Sequence, residues 1–409
     1  MLFPKRIHLV EPDLAEFGGH FYTQDTNVVQ ECNRRGIPVN VYCRQGSIVE
    51  IPGAQMFRIF RFGVWIEPPQ IESRDFAPFE IFFLVNRAFY LDLQAIDTSE
   101  FGSDELVFFP GVTQNQMDAI SEWYSGLPKA RRPRLAVTLR YLNARMHFNE
   151  VRGFTSGIEF LYRHALSRLK ERCPGVAFVC DTETLSQEYQ KMSGIPVTVL
   201  PVPQGESCHL SPETGTATKR NLNILYIGNL SPLRGSDYIP EIARSVLLTF
   251  PNVEFTIQIH GDPNSDYAKR VMTLPEELSS RVRFLTGALP PEEYARTMGS
   301  ADIVLLPYAP SFYRWASSGV FAEAASAGKV LVVSPDTNMS KWALQYGIGA
   351  VVAEDFTPVS FSKALGEAVQ SYLFLKSKSL AACKAFIEEH SAKSFLDKLL
   401  FAVSTSVTG

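Results

Sequence analysis

Short apolar runs recur along the chain with helical stretches between them, and this alternation constrains the fold more than any other feature. A run such as Asp302 to Pro307, with Ile303-Val304-Leu305-Leu306 at its centre, reads as a buried strand. Strands of that kind spaced by helices build doubly wound parallel sheets, so the expected class is α/β. In the first half, strands are expected near Arg6 to Val10, Val39 to Cys43, Leu106 to Phe109, Leu135 to Leu139, Ala177 to Cys180 and Thr198 to Leu200. In the second half they fall near Asn223 to Ile227, Phe255 to His260, Val282 to Leu285, Ile303 to Leu306, Val330 to Val333 and Ala350 to Val352. Between the halves, Pro201 to Gly205 and Gly215 to Thr218 are rich in turn residues and mark a hinge. With 409 residues, 45% of them hydrophobic, the chain supports two domains with a core each, expected over 1–205 and 220–390. Ligands of open parallel sheets gather at the carboxyl ends of the strands, so two such domains facing each other are expected to place both sets of loops in one cleft.

Composition removes several functional classes. The net charge of −4 gives no basic excess of the kind that nucleic-acid binding uses. The six cysteines are scattered, with no Cys-x-x-Cys pair, which fits reduced thiols in a cytoplasmic protein better than a zinc site or a disulfide scaffold. No Asp-x-Asp pair follows a strand, so no metal ligand set is expected. The amino terminus lacks an apolar signal core, and no run reaches the roughly 18 apolar residues of a membrane span.

Chemistry concentrates in two strand-to-helix turns of the second half. In Tyr313-Arg314-Trp315-Ala316-Ser317-Ser318-Gly319-Val320-Phe321-Ala322-Glu323-Ala324, a helix opens on Ser-Ser-Gly. Its first amides point outward with the positive end of the helix dipole, a seat for a phosphate, and the carboxylate of Glu323 suits ribose hydroxyls. A Ser N-cap followed by a solvated Glu is the plainer reading of the same residues. The second turn is Ile227-Gly228-Asn229-Leu230-Ser231-Pro232-Leu233-Arg234-Gly235. Gly228 allows a close approach of backbone, and the Arg234 guanidinium can fork onto diphosphate oxygens.

On these residues the chain resembles the GT-B glycosyltransferases, especially the large retaining group that uses nucleotide sugars. That family's Gly-Arg-Leu-x-x-x-Lys-Gly loop corresponds in spacing to Gly228 through Gly235, with Asn229 and Arg234 at the two basic positions. Its Glu-x7-Glu pair places Glu323 at the second acid and Trp315 at the first. Gly18-Gly19-His20 matches the glycine pair that opens the first helix, expected to run to about Arg35. Where many relatives carry a His after the strand Leu135 to Leu139, this chain has Arg140, with His147 as a second candidate in the following loop. The final amphipathic segment, about 391–409, is expected to cross back to the first domain as in the resembled fold.

The resemblance implies two Rossmann-like domains, an acceptor side in the first and a donor side in the second. It implies transfer of a sugar from a UDP- or GDP-linked donor to a saccharide or lipid-linked saccharide, with retention, without metal or other cofactor, in surface polysaccharide or glycan synthesis. Arg234, Gly19 and Arg140 are then expected at the reacting centre. Gly18, Gly228, Asn229, Ser318, Gly319, Val320, Phe321 and Glu323 are expected on the donor, with base contact through backbone at Thr286 to Leu289. The rival from another class is a catalytically silent nucleotide-sugar-binding protein, because Arg140, Asn229 and Trp315 depart from the pattern. A third reading, a nucleotide-sugar epimerase on the same fold, finds no evident acid–base set. The interleaved Arg and Phe of Phe57 to Ile66 and Phe76 to Phe89 are read first as a strand and helix of a core, and second as a contact with a membrane surface or lipid-linked acceptor.

Overall fold

The computed structural model describes residues 3–17, 20–63, 77–140, 155–205 and 221–406. The chain forms two compact units, one from Met1–Glu16, Phe21–Pro203 and Ala392–Gly409, the other from Phe17–His20 and Gln204–Ser391.

Unit 1 is built on a seven-stranded sheet ordered β3-β2-β1-β4-β5-β6-β7. Its strands are β1 (Ile7–Val10), β2 (Val39–Arg44), β3 (Ala54–Phe60), β4 (Leu106–Val112), β5 (Arg134–Leu139), β6 (Ala177–Cys180) and β7 (Thr198–Val199), and every pairing is parallel. Helices α1 (His20–Arg34), α2 (Ala77–Leu93), α3 (Gln114–Gly126), α4 (Thr155–Arg172) and α5 (Glu183–Ser193) make the crossovers. Strands β1, β4 and β6 are buried at every position; they are apolar apart from His8 of β1, whose Nε2 lies 3.1 Å from Glu105 Oε2.

Unit 2 carries a six-stranded sheet ordered β10-β9-β8-β11-β12-β13, again parallel throughout. Its strands are β8 (Leu222–Tyr226), β9 (Val253–Ile259), β10 (Val282–Thr286), β11 (Ile303–Leu306), β12 (Val330–Val333) and β13 (Ala350–Val352). The helices that matter below are α6 (Ile239–Thr249), α7 (Asp266–Val271), α8 (Pro291–Ser300), α9 (Gly319–Ser326), α10 (Asn338–Tyr346), α11 (Pro358–Gln370) and α12 (Tyr372–Glu389). The last helix, α13 (Ala392–Ser406), belongs to unit 1, where Phe395, Leu396, Leu399, Leu400 and Val403 join the core of Ile7, Leu9, Val41 and Phe108.

In each sheet the order runs outward from the first strand and then reverses. That reversal lies between β1 and β4 in unit 1, and between β8 and β11 in unit 2. Loops at the carboxyl ends of strands flanking such a reversal splay apart and leave room for a ligand.

The aromatic segment is chiefly core. Phe60, Phe82 and Phe89 are buried, with the Phe60 and Phe89 rings stacked 5.2 Å apart, while Phe83 is exposed. Arg61 donates to Asp92 Oδ1 at 2.6 Å, and Arg58 donates to the carbonyls of Ser47 and Val49. These cations are therefore spent within unit 1. Strand β3 is absent from the sequence-based strand positions outside this segment, because Ala54–Phe60 is an edge strand mostly of intermediate burial, with Gln55 and Arg58 exposed. Residues 64–76 lie outside the described residues, as does most of the expected hinge, 206–218. Among the described residues no helix is long and apolar enough to cross a membrane.

One glycine ties the two central strands of unit 2 together. Gly235 sits at φ +67°, and a Cβ there would lie 2.1 Å from the Pro307 carbonyl at the end of β11. Gly235→Ala is therefore expected to destabilise the protein by about 2–4 kcal/mol, combining a left-handed backbone with a backbone clash. Chemical denaturation of the variant checks this, and an unchanged midpoint contradicts it.

Candidate functional site

The loop after β8 is fixed by its own hydroxyls. Ser236 Oγ accepts the Ser231 N–H at 2.8 Å, donates to the Ser231 carbonyl at 3.0 Å, and lies 2.7 Å from the Tyr226 hydroxyl. Ser231 caps the single 3-10 turn Pro232–Arg234. Arg234 thus sits in a 3-10 turn rather than at the start of α6, and its backbone is held on both sides.

The Arg234 guanidinium folds back over the loop. Gly228, at φ +122°, leaves it room: a Cβ there would come 2.2 Å from Nη1. Gly228 thus admits the side chain of Arg234 close to its own backbone. The surroundings of this cation are phenols. Its Cζ lies 5.7 Å from the Tyr308 ring centroid, and Tyr313 and Tyr226 are electrostatic neighbours. Burial works against its charge, but the phenolic oxygens of Tyr313, Tyr308 and Tyr226 work more strongly for it, so its pKa lies above the ordinary value. Among the described residues it has no carboxylate partner.

Beside it, α9 opens as expected. Ser318 is the N-cap, and its Oγ accepts the Phe321 N–H at 3.1 Å. This corrects one expectation: the Phe321 amide is already committed to the cap and its side chain is fully buried, so it is not free to meet a ligand. Ser318 is likewise buried as a cap, and the amides of Gly319 and Val320 fall in the first turn, where a helix offers no carbonyl of its own to pair them. Glu323 lies farther along the same helix, where its Oε2 accepts a short hydrogen bond from the Tyr294 hydroxyl on α8. Desolvation pushes the Glu323 carboxyl up to about 7, although the Tyr294 bond pulls the other way.

Asn229 is exposed, and its backbone bridges to His260. Trp315 is half-buried, with the Arg314 guanidinium 5.9 Å from its ring. The expected base-contact loop, Thr286 to Leu289, is anchored through Gly287, whose N–H donates to the Ile259 carbonyl at 2.9 Å.

Three residues that the sequence reading passed over organise these parts. Gln258, buried on β9, accepts the Gly228 N–H at 2.9 Å and donates to the Gly287 carbonyl at 2.8 Å, so it joins the loop after β8 to the loop after β10. Asn338 at the start of α10 donates to the Arg314 carbonyl at 2.8 Å and the Ala316 carbonyl at 3.3 Å, which fixes the turn ahead of α9. Tyr294 holds Glu323. None belongs to a motif. Only a polar residue inside an apolar strand, as at Gln258, offered a signal.

Unit 1 holds a different constellation. Gly18, Gly19 and His147 lie outside the described residues. Arg140, directly after β5, donates from Nε to the Pro110 carbonyl at 2.7 Å and from Nη2 to Gln24 Oε1 at 2.6 Å. Its charge acts on two buried carboxyls, Glu11 at the end of β1 and Asp25 on α1, 1% and 3% exposed. Burial raises the pKa of both, mutual repulsion adds to it at Glu11, and Arg140 opposes it at each. Two buried carboxyls facing one guanidinium keep a proton between them. Among the described residues no three His, Cys, Asp or Glu side chains come together as metal ligands do.

Comparison with known proteins locates this architecture. No family model matches the chain. The D-inositol 3-phosphate glycosyltransferase of Corynebacterium urealyticum is 28% identical over 147 residues, 35% of this chain and 33% of that protein. The enzyme of the same name from Nocardia farcinica is 26% identical over 183 residues, 42% of this chain and 39% of that protein. The matched stretches thus span well under half of those relatives.

Among solved structures, sucrose-phosphate synthase from Thermosynechococcus elongatus superposes with a TM-score of 0.68 at 13% identity, covering 97% of this chain and 99% of that one. WaaG, a glycosyltransferase involved in lipopolysaccharide biosynthesis, gives 0.59 at 14% identity over 98% and 100%. Anabaena HepE in complex with UDP-glucose gives 0.60 at 13% identity over 98% and 99%. The chain has the GT-B glycosyltransferase fold, as its motifs implied.

The Glu11 and Asp25 pair generates a stability prediction. A carboxyl whose pKa is higher folded than unfolded binds more protons in the folded state, so its contribution is whole below the unfolded value of about 4 and is lost as pH rises toward the folded one. Asp25→Asn removes that loss. Denaturation midpoints measured from about pH 5 to about pH 8 are expected to fall less steeply in the variant than in the parent. Parallel profiles would show that Asp25 is ionised in the folded protein.

Proposed function

We propose that the protein transfers a sugar from a UDP- or GDP-linked donor to a saccharide or lipid-linked saccharide acceptor, with unit 2 holding the donor and unit 1 serving the acceptor. The observation that carries this reading is Arg234. A guanidinium walled by phenols, with no carboxylate beside it among the described residues, offers a charge that a diphosphate can complete. The first-turn amides of Gly319 and Val320 add donors at the positive end of α9, and Glu323 on the same helix offers a carboxylate to ribose hydroxyls. The two inositol-phosphate glycosyltransferases and the UDP-glucose complex of HepE support the substrate class by likeness.

In this reading an acceptor hydroxyl oxygen bonds to the anomeric carbon as the bond from that carbon to the diphosphate oxygen breaks, its proton passing to the departing diphosphate, on which negative charge gathers. Arg234 is already in place to receive it, because Gly228 and the hydroxyl-locked turn leave it little freedom to move. Preorganised donors aimed at developing charge carry rate without reorganisation at the moment of reaction. Retention follows the same proposal, with no side chain assigned as nucleophile. Metal independence does too. Arg140 is a counter-ion of Glu11 and Asp25 in this account, which supports the acceptor-side loops rather than the reacting atoms.

Kinetics of two variants test the assignment. Arg234→Ala is expected to lower kcat by about 10²–10³-fold with UDP- or GDP-sugars, and Arg234→Lys to recover part of it. An increase in KM alone leaves nucleotide binding intact and removes the rate role. Donor binding with no nucleotide release by the parent protein, across a donor and acceptor set, favours the silent binding protein instead.

A further inference from the structure

We propose that Tyr294 is a positioning residue, holding Glu323 through one carboxylate oxygen so that the other is left for the vicinal diol of a nucleotide ribose. This rests on the donor-site reading above. The contact joins elements distant in sequence: Tyr294 lies in α8, which follows the loop after β10, and Glu323 lies in α9, which follows β11. The hydroxyl donates to Oε2, and Oε1 has no partner among the described residues. A carboxylate anchored through one oxygen by a half-buried hydroxyl keeps the other oxygen in a defined direction, with lone pairs to accept further hydroxyl donors.

The surroundings make this anchor matter. Glu323 is faced by Tyr294 from α8 and by Tyr308 from the loop after β11, and among the described residues no cation forms an ion pair with it. Its charge is sustained by the Tyr294 bond against desolvation. Tyr294 itself stays protonated, because burial and the neighbouring Glu323 both raise its pKa, with Arg234 opposing. It is therefore a donor across the working pH range. A ribose diol donates to the ionised carboxylate, so nucleotide affinity is whole above about 7 and falls as Glu323 takes a proton below it. Removing the Tyr294 hydroxyl moves that limb upward in pH.

Two measurements test this with Tyr294→Phe, a variant that keeps the ring. The Glu323 carboxyl, followed by carbon NMR in the unliganded full chain and assigned with Glu323→Gln, is expected to titrate at clearly higher pH in Tyr294→Phe than in the parent. Calorimetry with UDP and with GDP is expected to show that variant binding about 10-fold more weakly near pH 6.5, yet within about twofold near pH 8.5. An unmoved Glu323 titration in a folded Tyr294→Phe protein overturns the proposal, as does an affinity loss equal at all pH values. Nucleotide binding indifferent to Glu323→Gln overturns the donor-site reading instead, and the titration of the unliganded protein then still decides whether Tyr294 governs the carboxylate.

Discussion

The structure of unit 2 depends on how the charge of Arg234 is held with no carboxylate beside it among the described residues. Arg234 cannot lose its proton, so its cost must be met by solvent, by π faces, by hydroxyl dipoles or by a bound anion. The protein supplies the second and third through Tyr308, Tyr313 and Tyr226. Much of the surrounding architecture serves that placement. Gly228 makes space for the guanidinium, Ser236 locks the turn that carries it, and Gly235 lets the turn pass against the end of β11. Tyr308, whose ring faces the Arg234 guanidinium, also meets Ser318 at the start of α9, and so links the two parts.

The fold was legible because parallel strands buried on both faces leave an unmistakable pattern. Ile303–Leu306, Val330–Val333 and Ala177–Cys180 coincide with their apolar runs residue for residue. The edge strand Ala54–Phe60 did not announce itself outside the aromatic segment, since most of its residues are only partly buried and Gln55 and Arg58 face water. The helix mouth at Ser318 and the carboxylate of Glu323 were visible for a related reason: capping and helix spacing are local.

What the sequence hid is non-local. Tyr294, Gln258 and Asn338 act across gaps of roughly twenty to thirty residues, and nothing in their own segments distinguishes them from a helix or strand residue. The Phe321 amide looked available because a sequence shows an N-cap without showing which amide it takes. Arg140 shows the same limit in unit 1. Its position after β5 suggested a ligand contact, whereas the partners that define it, Glu11, Gln24 and Asp25, come from β1 and α1. Its charge answers a need created by burying two carboxyls, which no motif encodes.

The central claim is that a diphosphate completes the charge of Arg234, and comparing ligands that differ only in phosphate tests it most directly. Calorimetric titration of the parent protein with uridine, UMP and UDP, and with the guanosine series, separates the base and ribose contribution from that of the phosphates. The account predicts that, in whichever series binds, the diphosphate binds at least about 10-fold more tightly than the nucleoside, with the gain shrinking as salt rises. Equal affinities across both series, at low and high salt alike, would contradict it.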